Sequence, residues 1–252
     1  MPSPIFAGAE PFSVAGGPVG VVVLHGFTGS PQSMRPLAMA LAAAGYSVEL
    51  PLLPGHGTSV EDMIPTGWAD WSAAADAAYA VLAARSERVF AAGLSMGGSL
   101  AIWLAERHPE IAGLVVVNPL VEPPAPSFLE MLAGMLEQGG GLLPSIASDI
   151  ALERPREPAY DATPIAPMLS MFDGIGSIAA GLGELRCPVL LLSSRNDHVV
   201  PSSSGDFLAA NAAGPVERVW LERSFHVATL DHDAPEVEAR AVEFVNKVAV
   251  LR

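Results

Sequence analysis

The sequence predicts an α/β protein: a mostly parallel central sheet flanked by helices, interrupted by a small inserted cap. Short runs rich in β-branched and aliphatic residues recur at 19–24, 46–50, 89–92, 113–117, 189–193 and 216–221. Strands this apolar belong to sheets covered on both faces. Segments of helical composition separate them, as parallel neighbours require. Between 119 and 185 the alternation stops. The 252 residues are 50% hydrophobic and 16% charged, enough for one large domain with a full core.

The first strand, 19–24, stops at His25-Gly26. A helix over 32–44 ends at Gly45, a residue suited to a helix C-terminus. The strand 46–50 is closed by Pro51, Pro54, Gly55 and Gly57. Residues 68–85 are Ala-rich, with Trp68, Trp71 and Ala75 at helical spacing. Strand 89–92 is closed by Gly93, a helix covers 97–107, and strand 113–117 follows. The stretch 119–185 is rich in Pro, Gly and Met, with short helices expected at 128–137 and 167–172. A structureless loop of that length does not fit a compact domain. It is assigned to a cap within the same domain, whose core is 1–118 and 186–252. Gly139-Gly140-Gly141 and the prolines Pro123, Pro124 and Pro126 read as cap connections. Alternation then resumes with strand 189–193, helix 203–210, strand 216–221 and a closing helix 235–248. No internal repeat is visible.

Charge and composition exclude several classes. With 27 acids against 13 bases, the net charge of −14 makes nucleic-acid binding electrostatically unfavourable. The single Cys187 excludes an intramolecular disulfide and a Cys-built zinc site. Residues 1–6 lack a basic n-region and a long apolar h-region, so no secretory signal is expected. The apolar stretches 19–24 and 113–117 are too short to span a bilayer. The expectation is a soluble, cytoplasmic chain without a transmembrane segment, with transient contact to a lipid surface left open. The turn after the first strand reads His25-Gly26-Phe27-Thr28-Gly29, not the dinucleotide fingerprint. Lys247 is the only lysine and cannot serve a P-loop. No H-E-x-x-H motif or cluster of His and carboxylates points to a metal. Oligomeric state is not fixed by the sequence.

The motif that carries chemistry is Gly93-Leu94-Ser95-Met96-Gly97, a G-x-S-x-G. In a chain with 24 glycines the pentapeptide alone is a weak sign. Its position, where a strand ends and a helix begins, is that of a nucleophile elbow. The turn forces Ser95 into a strained conformation and presents its Oγ above the sheet edge. The competing reading is a serine that only caps the helix. A serine needs a base, and the base an orienting acid, here in the chain order Ser, acid, His. Of six histidines, His25 and His56 precede the serine and tie loops together, and His108 ends a helix beside Pro109. His198 sits beside the candidate acid, and His226 follows the last strand. His232 is the close rival, on the approach to the closing helix. Asp197 follows strand 189–193 and is the candidate acid; a turn or capping Asp is the alternative. Asn118, one strand earlier, is a poor substitute for a carboxylate, and Asp231 and Asp233 follow His226 and break the order. The oxyanion hole calls for the N–H of Met96 and one from the first loop, best assigned to Phe27. Phe27 as a core aromatic is the competing view.

His25-Gly26-Phe27-Thr28-Gly29-Ser30-Pro31-Gln32-Ser33-Met34-Arg35-Pro36-Leu37-Ala38 resembles the bacterial monoacylglycerol lipases and their thermophilic carboxylesterase relatives, on the α/β-hydrolase fold. So do Gly55-His56-Gly57-Thr58, Gly93-Leu94-Ser95-Met96-Gly97-Gly98, Asp197-His198-Val199-Val200-Pro201 and His226-Val227-Ala228-Thr229-Leu230-Asp231. The resemblance runs from about 19 to 244 and is looser in the cap, poorest over 119–141. It implies Ser95, Asp197 and His226 as a catalytic triad, with Phe27 and Met96 as oxyanion donors. It further implies that Ile146 forms the wall, and Glu157 the polar end, of a glycerol pocket. A surface ion pair of Glu157 with Arg154 or Arg156 is the alternative. Met131, Met135, Met168 and Met171 make the cap apolar, as an alkyl chain would need. The expected partner is a small lipid ester, no cofactor is called for, and the expected reaction is hydrolysis of carboxylic esters, monoacylglycerols first among them. A short- to medium-chain carboxylesterase is the alternative, and a non-catalytic ligand-binding protein or a peptidase on the same scaffold stands behind it.

Overall fold

The computed structural model describes residues 3–145, 148–154 and 156–250. The chain opens with β1 (Phe12–Val14), β2 (Val19–Leu24), α1 (Pro31–Ala43) and β3 (Ser47–Leu50). It continues through α2 (Val60–Met63), α3 (Trp68–Ala83), β4 (Arg88–Leu94), α4 (Met96–Arg107) and β5 (Leu114–Val117). The insertion carries α5 (Pro126–Glu137), β6 (Leu142–Pro144), β7 (Ala162–Pro164) and α6 (Ile165–Gly181). The chain returns through β8 (Val189–Ser194), α7 (Ser202–Asn211), β9 (Val216–Leu221) and α8 (Ala234–Val250).

The main sheet has the order β1-β3-β2-β4-β5-β8-β9. Only β1 runs antiparallel to its neighbour; the other pairs are parallel. Strand residues alternate between two cores. Val22, Leu24 and Ala91 face one with Trp71 of α3 and Leu100 of α4, while Val21, Val23 and Ala92 face the other with Leu37 of α1 and Phe244 of α8. Both faces are therefore covered, as continuous apolar strands require. β3 and β4 flank β2 on opposite sides, so the connection order reverses at β2 and β4. A crevice opens outside the carboxyl ends of strands at such a switch point. The loops after β2 and β4 both open into it.

Several elements differ from expectation. β1 and α2 lie in stretches that the sequence leaves unassigned. In the insertion, β6 and β7 pair antiparallel, with Leu142 opposite Pro164. α6 spans Ile165–Gly181, far beyond the expected 167–172. Pro167 falls in its first turn, where the missing N–H costs nothing. Gly174 permits close packing: a Cβ there would lie 2.2 Å from the Trp68 ring. Residues 165–184 are also long and apolar enough to cross a membrane, with a mean hydropathy of 1.4. Here they bury Ile165, Met168, Met171, Ile175 and Ile178 within the core on the α3–α4 side of the sheet.

Candidate active site

Ser95 sits between β4 and α4 with φ 55° and ψ −123°, a conformation costly for any residue but glycine. The surroundings leave no slack. A Cβ on Gly93 would lie 2.1 Å from the carbonyl oxygen of Gly97, and one on Gly97 would lie 2.1 Å from that of Leu24. The Ser95 amide donates to Val117 O at 3.0 Å, fixing the elbow to β5. Met96 opens α4, so its N–H has no acceptor within the helix.

His226 lies between β9 and a 3-10 turn at Ala228–Leu230. Its Nδ1 is 2.7 Å from Asp197 Oδ2, with the two side chains 8% and 3% exposed. The other Asp197 oxygen, Oδ1, accepts the amides of Val199 and Val200, both at 2.8 Å. A carboxylate so placed only accepts, so Nδ1 carries the imidazole proton and Nε2 is left as a base. Ser95 and His226 line one cavity of about 790 Å³.

Gly26 and Phe27 line the same cavity. A Cβ on Gly26 would lie 3.5 Å from Ser95 Cβ, so this loop abuts the nucleophile. The Phe27 ring is held edge-on to Trp71 at 5.6 Å and to His56 at 6.3 Å. It is thus a core aromatic and a wall of the site at once. Leu53 N–H donates to His25 Nε2 at 3.1 Å, so the ring proton is on Nδ1, 3.0 Å from Gly26 O. Burial first, then the neighbouring His56, lowers the His25 pKa to about 3; burial lowers that of His56 to about 4. Both are neutral ties between loops, as expected. His108 Nε2 pairs with Asp76 at 2.5 Å, stacked on Tyr79.

The rival acids have other tasks. Asp231 accepts the amides of Ala151, Leu152, Phe225 and His232. Asp233 accepts those of Arg223 and Ser224. Asn118, set aside as an acid, holds the base loop instead. At φ 44° it donates through Nδ2 to His226 O at 2.8 Å, and its Oδ1 accepts Ser194 N–H at 2.7 Å. An amide directly after a buried strand was the available signal.

The cavity has polar lining from Ser145, Ser148, Asp149 and Glu157, and apolar lining from Leu120, Phe128, Met168, Met171 and Phe172. Met168 and Met171 thus face the site as expected, whereas Met131 is 49% exposed and Met135 packs on the core. Glu157 faces the cavity and, among the described residues, pairs with neither Arg154 nor Arg156. Its Oε1 would lie 2.6 Å from a Cβ on Gly29, so the carboxyl abuts the Phe27 loop. Burial pushes its pKa above the usual carboxylate range, against the Ser33 hydroxyl, the nearby His226 and the Ser148 amide. Ile146 lies outside the described residues. Among the described residues no group of three His, Cys, Asp or Glu could hold a metal ion.

The serine aminopeptidase S33 family matches residues 19–233. The chain is 45% identical over 251 residues to the thermostable monoacylglycerol lipase of Bacillus sp. (strain H-257), covering 98% of each chain. It is 27% identical to a carboxylesterase of Bacillus subtilis (strain 168), covering 95% of this chain and 97% of that one. A solved structure from work on the metagenome-derived lipolytic enzymes LipS and LipT superposes with a TM-score of 0.92 at 40% identity, covering 97% of this chain and all of the other.

Proposed function

The chain belongs to the serine aminopeptidase S33 family, on the α/β-hydrolase fold, and on that premise we propose that it is a serine esterase that cleaves monoacylglycerols to glycerol and fatty acid. The observation that carries this is the buried His226–Asp197 pair, whose His226 lines one cavity with Ser95 on its strained elbow. His226 Nε2 takes the Ser95 proton as Oγ attacks the acyl carbonyl. The N–H groups of Phe27 and Met96 hold the tetrahedral oxyanion. His226 returns the proton to the departing glycerol oxygen, leaving an acyl-Ser95. A water, deprotonated by the same imidazole, releases the fatty acid. Every proton is moved by this chain's own residues.

Substrate choice follows from the mixed lining of the cavity. The apolar residues take the alkyl chain, and we take 119–185 as the cap that supplies most of them. Glu157 accepts hydrogen bonds from the free glycerol hydroxyls. A triacylglycerol lacks those hydroxyls and would leave the polar lining unpaired, at a cost of about 1–3 kcal/mol or more for a charge. The names of the similar enzymes support an ester over a peptide, although the family is named for an aminopeptidase.

A panel of mono- and triacylglycerols, a p-nitrophenyl ester of the same acid and an aminoacyl anilide tests this. The expected order places the monoacylglycerol at least about 10²-fold above the triacylglycerol in kcat/KM. Glu157→Ala weakens glycerol-ester hydrolysis more than aryl-ester hydrolysis. Equal losses on both esters reduce the reading to a carboxylesterase, and preferential cleavage of the anilide makes the chain a peptidase.

A further inference from the structure

The acid and base of the proposed triad sit on two irregular loops, Asp197 on the one after β8 and His226 on the one after β9. A segment of the insertion, 148–152, is hydrogen-bonded to both, and the mechanism above makes no use of it. Asp149 is its centre. One carboxylate oxygen, Oδ2, accepts the backbone N–H of His226 at 3.1 Å and that of His198, next to Asp197, also at 3.1 Å. The other, Oδ1, is 2.9 Å from His198 Nδ1. The carbonyl of Asp149 accepts the Val227 amide at 3.0 Å. The contact is reciprocated from the core. Asp231 takes the amides of Ala151 at 2.7 Å and Leu152 at 3.1 Å with the same carboxylate that takes Phe225 at 2.9 Å. The Asp149 side chain is 16% exposed; its bond to the His226 amide is partly buried, while those to His198 lie at the surface.

Building on the triad reading, we propose that Asp149 is a positioning residue for the hydrolysis: its carboxylate, reaching from the cap, sets the separation between the acid loop and the base loop. Charge-assisted hydrogen bonds to backbone amides are shorter and stronger than neutral ones, so a single side chain can hold two loops in register. The chemistry is sensitive to that register, because a 1 Å misplacement of a reacting group costs on the order of 10²-fold in rate. Asp149 reaches the base through the His226 backbone and the acid loop through His198, so with a small ester that makes no use of the polar lining it acts on the rate and not on KM.

The test uses the full chain, a small aryl acetate and active sites counted by phosphonate titration. In Asp149→Ala, kcat per titrated site falls about 10–10²-fold while KM changes less than about threefold. Asp149→Asn keeps an acceptor for the two amides and recovers to within about fivefold of the parent. Asp149→Glu folds with its charge intact but carries the carboxylate one methylene further, and its kcat falls about tenfold; this variant decides the matter if Asp149→Ala does not fold. Parental kcat per site in the folded Ala or Glu variant overturns the proposal, as does an Asn variant as slow as Ala. Failure of the phosphonate to label Ser95 in the parent overturns the triad reading itself, and the role of Asp149 with it.

Discussion

Ser95 and His226 depend on backbone as much as on their own side chains. The φ of 55° at Ser95 is held by two glycines that admit no Cβ, and the His226 carbonyl is gripped by Asn118. Ser95→Ala removes one half-buried hydroxyl and leaves this frame intact. It should fold with a normal circular dichroism spectrum and lose on the order of 10⁶ in turnover. Asp197→Asn should cost roughly 10⁴ in kcat by favouring the wrong imidazole tautomer. Asp231→Asn should act differently: an amide facing four backbone N–H groups offers fewer acceptors, so the loss appears first in Tm and only secondarily in rate. If Asp231→Asn cost more in kcat than Asp197→Asn, the acid would be misassigned. Gly93, Ser95 and Gly97 were legible because elbow sterics write themselves into sequence. Asp149 was not, and Asn118 was marked only as an amide directly after a buried strand, because their partners are backbone amides and carbonyls distant in the chain.

The loop after β2 and the cap helix α5 each bear on function as units. If the Phe27 amide is the donor, Phe27→Leu keeps it and should retain most catalysis. Phe27→Pro removes it and should lose about 10²–10³-fold in turnover, with folding checked by circular dichroism. Equal damage from both would assign the effect to the ring packed on Trp71. On α5 only Leu132 is buried, while Phe128, Met131 and Leu136 are exposed and Phe128 also lines the cavity. Phe128 joins this apolar face to the cavity, and the prediction drawn from it is transient contact with a lipid surface. Met131→Asp should lower the rate on monoacylglycerol in neutral vesicles and spare that on a soluble ester; equal rates on both would refute the contact. The alternating core elements were readable from apolar runs. α6 was not, because its Pro and Gly content mimics a break. Only the fold shows that Pro167 falls in a first turn and Gly174 under an indole ring.

The whole fold carries opposed pH dependences. Glu106 lies in the last turn of α4, where the helix dipole disfavours an anion, with its Oε1 buried without a partner and its carboxyl against Gly181. Burial raises its pKa from 4.5 to about 7. The folded chain therefore holds a proton that the unfolded chain releases, and stability falls as pH rises from about 4.5 to about 7. His25 and His56 act in the opposite sense. Their depressed values mean that the unfolded chain binds protons first, so stability falls as pH drops below 6.5. Glu106→Gln should thus raise Tm at pH 8, by on the order of 2–4 °C, and leave it unchanged at pH 4. An equal shift at both values would mean that packing, not charge, is responsible. The claim on which the rest stands is that Ser95 is the nucleophile of an ester hydrolase. A fluorophosphonate followed by intact mass and peptide mapping tests it most directly while monoacylglycerol hydrolysis is monitored. The account predicts a single adduct on Ser95, with activity lost in proportion to its formation and no adduct on Ser95→Ala. An adduct on another serine, or hydrolysis that survives complete modification of Ser95, would contradict it.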